Sequence, residues 1–193
     1  MEHLEYVKAT KKIRKILILG SGAVGKTSLT KVLKLEKSLQ DMNGDCDYQR
    51  TLFVEIDQFK TNDNTGTFQV LDLAGQLNLP IHGTRDTARF VFNAVDLICY
   101  VFANDNAQSL IELGEWVSIV NEYYSKNNLS IPPFILIKNK IDLESSIDTF
   151  LLKQISSNVN GYFEISCFNG IGISKLKDWF NEFFFNCNYN IKE

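Results

Sequence analysis

The feature that most constrains this chain is the octapeptide Gly20-Ser21-Gly22-Ala23-Val24-Gly25-Lys26-Thr27, set directly after the apolar run Ile-Leu-Ile-Leu at 16–19. This order reads as a buried strand, then a tight glycine-rich loop, then a helix. Glycines let the backbone curl so that several N–H groups converge on one anion. The helix N-terminus adds partial positive charge at the same point. Lys26 brings a full charge to the outer phosphates of a nucleotide, and the Thr27 hydroxyl can ligate Mg²⁺. A plain turn between a core strand and a helix is the competing reading. The joint spacing of Gly20, Gly25, Lys26 and Thr27 favours the phosphate cradle.

Beyond the loop, short apolar runs alternate with helical patterns. Strands are expected at 16–19, 97–102, 134–137 and 162–165, whose near-continuous apolarity suits a parallel sheet buried on both faces. The runs 52–59 and 68–73 flank the turn cluster Asn62-Asp63-Asn64-Thr65-Gly66, which predicts an antiparallel hairpin at the sheet edge. Helices are expected after Gly25 and across 108–126, 145–157 and 173–185; in the last, Ile173, Leu176, Phe180 and Phe183 share one face. The order predicts an α/β three-layer sandwich with a mostly parallel six-stranded sheet, one antiparallel edge strand and about five helices. Residues 1–13 read as a lead-in, 14–186 as the domain and 187–193 as a short tail.

Ligands of such sheets bind beyond the carboxyl ends of the strands, and the remaining motifs do follow strands directly. Asp72-Leu73-Ala74-Gly75-Gln76 puts a carboxylate able to hold Mg²⁺ at a strand end. Gly75 allows a backbone N–H close to a γ-phosphate, and Gln76 can orient an attacking water. The same pentapeptide also suits a simple turn. In Asn139-Lys140-Ile141-Asp142, the Asp142 carboxylate can accept from the N1–H and exocyclic amine of guanine, a donor pair that adenine lacks. The Lys140 stem can lie on the purine face, and Asn139 can tie neighbouring loops together. At Ser166-Cys167-Phe168 the Cys167 N–H can donate to the guanine carbonyl. Thr51 follows a polar stretch, 41–50; its hydroxyl can complete a Mg²⁺ shell, or it simply begins a strand.

Together, in this order, these segments resemble the Ras-like small GTPases of the P-loop NTPase fold, over essentially the whole chain. On that resemblance Gly20 to Thr27, with Ser28 behind them, match the phosphate loop, and Thr51 matches the switch I threonine. Asp72 to Gln76 match the start of switch II, Asn139 to Asp142 the guanine motif, and Ser166-Cys167 the last base loop. Tyr48 stands where many members carry a tyrosine over the phosphates. The resemblance implies GTP/GDP and Mg²⁺ as cofactors, with Gln76, Lys26 and Thr51 as catalytic residues and Thr27, Thr51 and Asp72 around the metal. It implies a guanine-nucleotide switch that slowly hydrolyses GTP and is read by partner proteins: an exchange factor, a GTPase-activating protein and effectors. The alternative is a GTP/GDP-dependent binding module with little hydrolysis; an ATP-using enzyme fits Asp142 poorly. Departures from the family pattern are Phe168 in place of the usual lysine, Gly44 where many relatives stack an aromatic on the base, and Leu77 after Gln76. Leu77, Leu79, Pro80 and Ile81 form an unusually apolar stretch. Arg85 and Arg89 follow it and suit helix-surface roles better than internal arginine fingers.

A net charge of −3 offers no electrostatic case for nucleic acid. The cluster Lys8, Lys11, Lys12, Arg14 and Lys15 reads as a solvated approach to the first strand. The cysteines (Cys46, Cys99, Cys167, Cys187) show no metal-ligand spacing and suit a reduced setting. No apolar run is long enough to span a bilayer, and neither a terminal lipidation box nor a signal peptide is expected. The expectation is a cytoplasmic monomer, peripheral on membranes only through a partner.

Overall fold

Strand β1 (Ile13–Leu19) carries the chain into the glycine-rich loop, and helix α1 (Lys26–Leu35) leaves it. The computed structural model describes residues 13–42, 51, 54–61, 64, 66–75 and 85–185. Strands β2 (Val54–Lys60) and β3 (Thr67–Leu73) form an antiparallel hairpin, with Glu55 opposite Asp72. Helix α2 (Arg85–Phe92), strand β4 (Leu97–Ala103), helices α3 (Ala107–Ile111) and α4 (Leu113–Lys126) and strand β5 (Phe134–Asn139) follow. Helix α5 (Thr149–Ser156), strand β6 (Tyr162–Glu164) and helix α6 (Ile173–Phe185) complete the order. The sheet runs β2-β3-β1-β4-β5-β6, parallel except for β2. This is the expected mixed six-stranded sheet with its antiparallel edge.

Alternation along β1 explains the layers. Ile16 and Ile18 face a core shared with α1 and α6, while Leu17 and Leu19 face a second core shared with α2, α3 and α4. Both faces are covered, so the run is apolar without interruption. The sheet thereby brings the carboxyl ends of β1, β3, β4 and β5 to one edge, where every loop of interest emerges.

Several element boundaries differ from the sequence reading, three of them for an identifiable reason. Strand β1 begins at Ile13, three residues early, because Arg14 has partners far along the chain. Its guanidinium lies 5.6 and 5.7 Å from the Phe184 and Phe185 ring centroids and 3.7 Å from the Asp96 carboxylate. Helix α5 begins at Thr149 rather than 145, because the Asp148 carboxylate accepts from the Phe150 and Leu151 N–H groups at 2.7 and 3.0 Å and fixes the start there. The helix expected across 108–126 is broken at Glu112, where a tight Glu115 N–H to Glu112 carbonyl turn lets both Leu110 and Leu113 reach the core. Helix α2, which lacked a clear signal, packs through buried Val91 and Phe92.

The hairpin is held down by aromatic rings. Phe68 is fully buried and meets Phe59, Phe180, Phe184 and Phe185 with ring centroids 5.1 to 5.9 Å away. At the turn, Asn64 adopts φ 59°, and the Thr61 N–H bonds to the Gly66 carbonyl at 3.1 Å. Phe68→Ala should lower the unfolding free energy by about 3–5 kcal/mol in urea denaturation, because the surrounding rings cannot collapse into so large a void.

Candidate functional site

The site is built where the loops after β1, β3, β5 and β6 meet. Lys26 opens α1 and is buried. Its Nζ donates to the Gly20 carbonyl at 2.9 Å and the Ser21 carbonyl at 2.8 Å. Burial pulls the ammonium down to about 8, against the opposing pull of Asp72. Gly25 takes φ +93°, and a Cβ there would lie 2.3 Å from Asn139 Nδ2, so only glycine fits. Val24 is buried, while Gly22 and Ala23 are exposed at the loop's tip; Ser28 is half-buried in the first turn of α1.

Thr27, Thr51 and Asp72 come together. The Thr27 hydroxyl donates to Asp72 Oδ2. The Thr51 hydroxyl lies 3.0 Å from that of Thr27 and 3.4 Å from the same carboxylate oxygen. Asp72 Oδ1 is buried with no hydrogen-bond partner among the described residues. Burial raises the Asp72 carboxyl above its ordinary range, partly offset by the Thr27 hydroxyl and the Lys26 charge. Two hydroxyls and a carboxylate with an unused oxygen are the donor chemistry a hard divalent cation takes, so these residues fit Mg²⁺. Gly75 comes up against the loop from below. A Cβ there would sit 2.4 Å from the Gly22 nitrogen and 2.5 Å from the Ser21 oxygen, so the Gly75 backbone is as close as it can come.

Asn139 joins the phosphate loop to the base loop. Its Nδ2 donates to the Val24 carbonyl at 2.9 Å, and its Oδ1 accepts from the Cys167 N–H at 3.2 Å. The Cys167 N–H, expected to serve a base carbonyl, is thus directed at Asn139 here. The Cys167 thiol is pushed up to about 12 by burial, so it stays protonated. Ser166 donates to Asp142 Oδ1 at 2.5 Å and accepts from the Asn169 N–H at 3.2 Å, which orients the exposed Asp142. Lys140 takes φ 61° and points its ammonium at Asp105, 3.4 Å away. The chain after α1 is pinned to the same loop: Leu39 N–H to the Cys167 carbonyl and Gln40 N–H to the Phe168 carbonyl, both 3.0 Å.

Tyr48, Gln76, Gly44, the stretch 77–81, Lys8, Lys11, Lys12, Cys46 and Cys187 lie outside the described residues. Arg89 is exposed on α2. Among the described residues no cluster of His, Cys, Asp and Glu has metal-ligand geometry, which leaves the hydroxyl-rich Thr27-Thr51-Asp72 group as the cation candidate. No helix among them is long and apolar enough to cross a membrane. The sequence reading missed Glu112, whose carboxylate accepts from the Ser21 hydroxyl. A glutamate inside an expected helix carries no motif, and its partner is remote in sequence.

A phosphate-type loop at the edge of this sheet, with a hydroxyl–carboxylate group beneath it, is the architecture of a P-loop α/β domain. The sequence model of the Ras family matches residues 15–184, and the chain belongs to that family. It is similar to the Ypt/Rab-type GTPase YPT7 of Saccharomyces cerevisiae, 30% identical over 139 residues covering 70% of this chain and 62% of the yeast protein. It is also similar to the GTP-binding protein yptV5 of Volvox carteri, 30% identical over 141 residues covering 69% of this chain and 62% of that protein. The Ras-related protein Rab-7B of Dictyostelium discoideum is 26% identical over 176 residues, 86% of this chain and 80% of the relative. The chain thus spans just under two thirds of the first two relatives' length.

Asn139→Ala should cost about 2–4 kcal/mol in chemical denaturation, because the Val24 carbonyl and the Cys167 N–H would both be buried without a partner. Asn139→Asp, which keeps the acceptor and loses the donor, should fall between that variant and the native chain.

Proposed function

We propose that this chain is a guanine-nucleotide switch that binds GTP and GDP with Mg²⁺ and slowly hydrolyses GTP to GDP and phosphate. The observation that carries the reading is the meeting of the Thr27 and Thr51 hydroxyls on one oxygen of the Asp72 carboxylate, whose other oxygen is buried without a partner among the described residues. The domain is 14–186. Backbone N–H groups of Gly20 to Thr27, with Ser28, hold the phosphates, and Lys26, steadied by the Gly20 and Ser21 carbonyls, turns its charge on the phosphate oxygens. Thr27, Thr51 and Asp72 would hold Mg²⁺, which when bound neutralises charge on the phosphates. Tyr48 covers the phosphates, and Gln76 orients the attacking water. Asn139, Lys140, Asp142, Ser166 and Cys167 hold the base, with Asp142 selecting guanine by accepting from its donor pair.

Thr51 and Gly75 reach the phosphate loop from segments on opposite sides of the β2–β3 hairpin. Contact with a γ-phosphate would hold both segments, and its loss would release them. An exchange factor, a GTPase-activating protein and effectors read those two states. The protein works as a cytoplasmic monomer and meets membranes through a partner. Intrinsic turnover should be slow, on the order of 10⁻⁴ to 10⁻² per second.

Single-turnover GTP hydrolysis tests the catalytic part. Gln76→Leu should slow it by at least about tenfold with GTP affinity nearly unchanged, since leucine removes the groups that orient water but no ground-state contact. Equal rates in the two proteins would reject Gln76 as catalytic, and no hydrolysis by the native chain would leave only a binding module. Asp142→Asn tests the base assignment. It should weaken GTP binding by about ten- to a hundredfold and improve xanthosine triphosphate binding, because the new amide donates where the carboxylate only accepted. Retained guanine preference in a competition titration would reject the assignment.

A further inference from the structure

This inference rests on the nucleotide-binding reading and concerns what holds the phosphate loop in place. Ser21 is only 6% exposed. Its hydroxyl donates to Glu112 Oε2, from a residue 91 positions away. Its carbonyl accepts Lys26 Nζ at 2.8 Å and also bounds the space above Gly75. One residue is therefore gripped at its side chain by Glu112 and at its backbone by Lys26.

The fold gives Glu112 little freedom. It ends α3 and begins α4, with its N–H on the Gln108 carbonyl at 3.0 Å and its own carbonyl accepting the Glu115 N–H at 3.1 Å. Leu110 and Leu113 on either side are 3% and 6% exposed, so both flanks are fixed in the core. The helix break directs a carboxylate at the loop instead of letting it point to solvent. A negative charge beside an anion-binding loop opposes anion binding by Coulomb repulsion. Its usefulness there must be geometric, as the acceptor that fixes the Ser21 hydroxyl. We propose that Glu112 is a positioning residue for the phosphate loop: by holding Ser21 it keeps the Ser21 carbonyl and Lys26 in register, and so slows nucleotide release.

The test is release of a fluorescent GDP analogue, in the presence of Mg²⁺, from the full chain, Ser21→Ala, Glu112→Ala, the double variant and Glu112→Gln. Each alanine variant should release about tenfold faster, as expected for loss of one charge-assisted hydrogen bond. The double variant should be no faster than the faster single one, because both changes break the same contact. Glu112→Gln keeps an accepting oxygen and should stay within about twofold of the native rate. The nucleotide-free melting temperature of Ser21→Ala should fall by only a few degrees, the loss of one hydrogen bond, so that release measured well below it reports positioning and not unfolding. Native rates in the alanine variants, multiplicative effects, or Gln as fast as Ala would overturn the proposal. Slower release in Glu112→Ala would also overturn it, by showing that repulsion dominates. If Glu112→Ala does not fold, Ser21→Ala decides alone. A native chain that binds no guanine nucleotide would overturn the function and this role together; binding with unchanged variant rates would overturn this role only.

Discussion

An ammonium group buried at the start of α1 sets the terms for everything around it. Lys26 is held where burial disfavours its charge, and its ammonium donates to two carbonyls of its own loop. Those carbonyls must therefore stay fixed, and three neighbours fix them. Asp72 supplies an opposing charge from the end of β3. Gly75 approaches the Ser21–Gly22 peptide to the limit of backbone contact. Glu112 holds the Ser21 hydroxyl from the α3–α4 break. A ligand rich in negative oxygens would relieve the ammonium directly, which is the physical reason such a loop selects phosphate.

The second dependence is on Asn139. One side-chain amide serves as donor to the phosphate loop and acceptor for the β6–α6 loop, while the Asn139 carbonyl accepts the Asn104 N–H at 2.8 Å. Three loops from three strand ends are thus fixed relative to one another by a residue that is 1% exposed. The parallel sheet makes this possible, since it delivers β1, β4 and β5 to the same edge. The glycine at Gly25 is part of the same arrangement, because any side chain there would displace the amide.

Much of this was legible in the sequence, for identifiable reasons. β4 is apolar at every position and β5 is apolar over 134–137, so both stand out in sequence. The turn cluster before Gly66 and the single-faced pattern of α6 were equally plain. The grouping of Thr27, Thr51 and Asp72 was implied by the resemblance of the ordered motifs to the Ras-like small GTPases. What stayed hidden depended on distant partners. Arg14 and Lys15 look like solvated charge, yet Arg14 is drawn into β1 by rings near the other end of the chain. The start of α5 lies four residues later than the expected 145, at the point where the Asp148 side chain caps the helix. Glu112 gave no signal because its role exists only once the α3–α4 break meets the loop after β1.

Lys26, the Thr27-Thr51-Asp72 group and Asp142 are proposed to bind one guanine nucleotide. The most direct test is the identity of the nucleotide that stays with the protein. The chain, purified in Mg²⁺-containing buffer, is denatured and the released small molecules are resolved by chromatography. The account predicts GDP or GTP in near-equimolar amount, removed when the protein is first treated with EDTA. An adenine nucleotide in that position, or no nucleotide at all from folded protein kept in Mg²⁺, would contradict it.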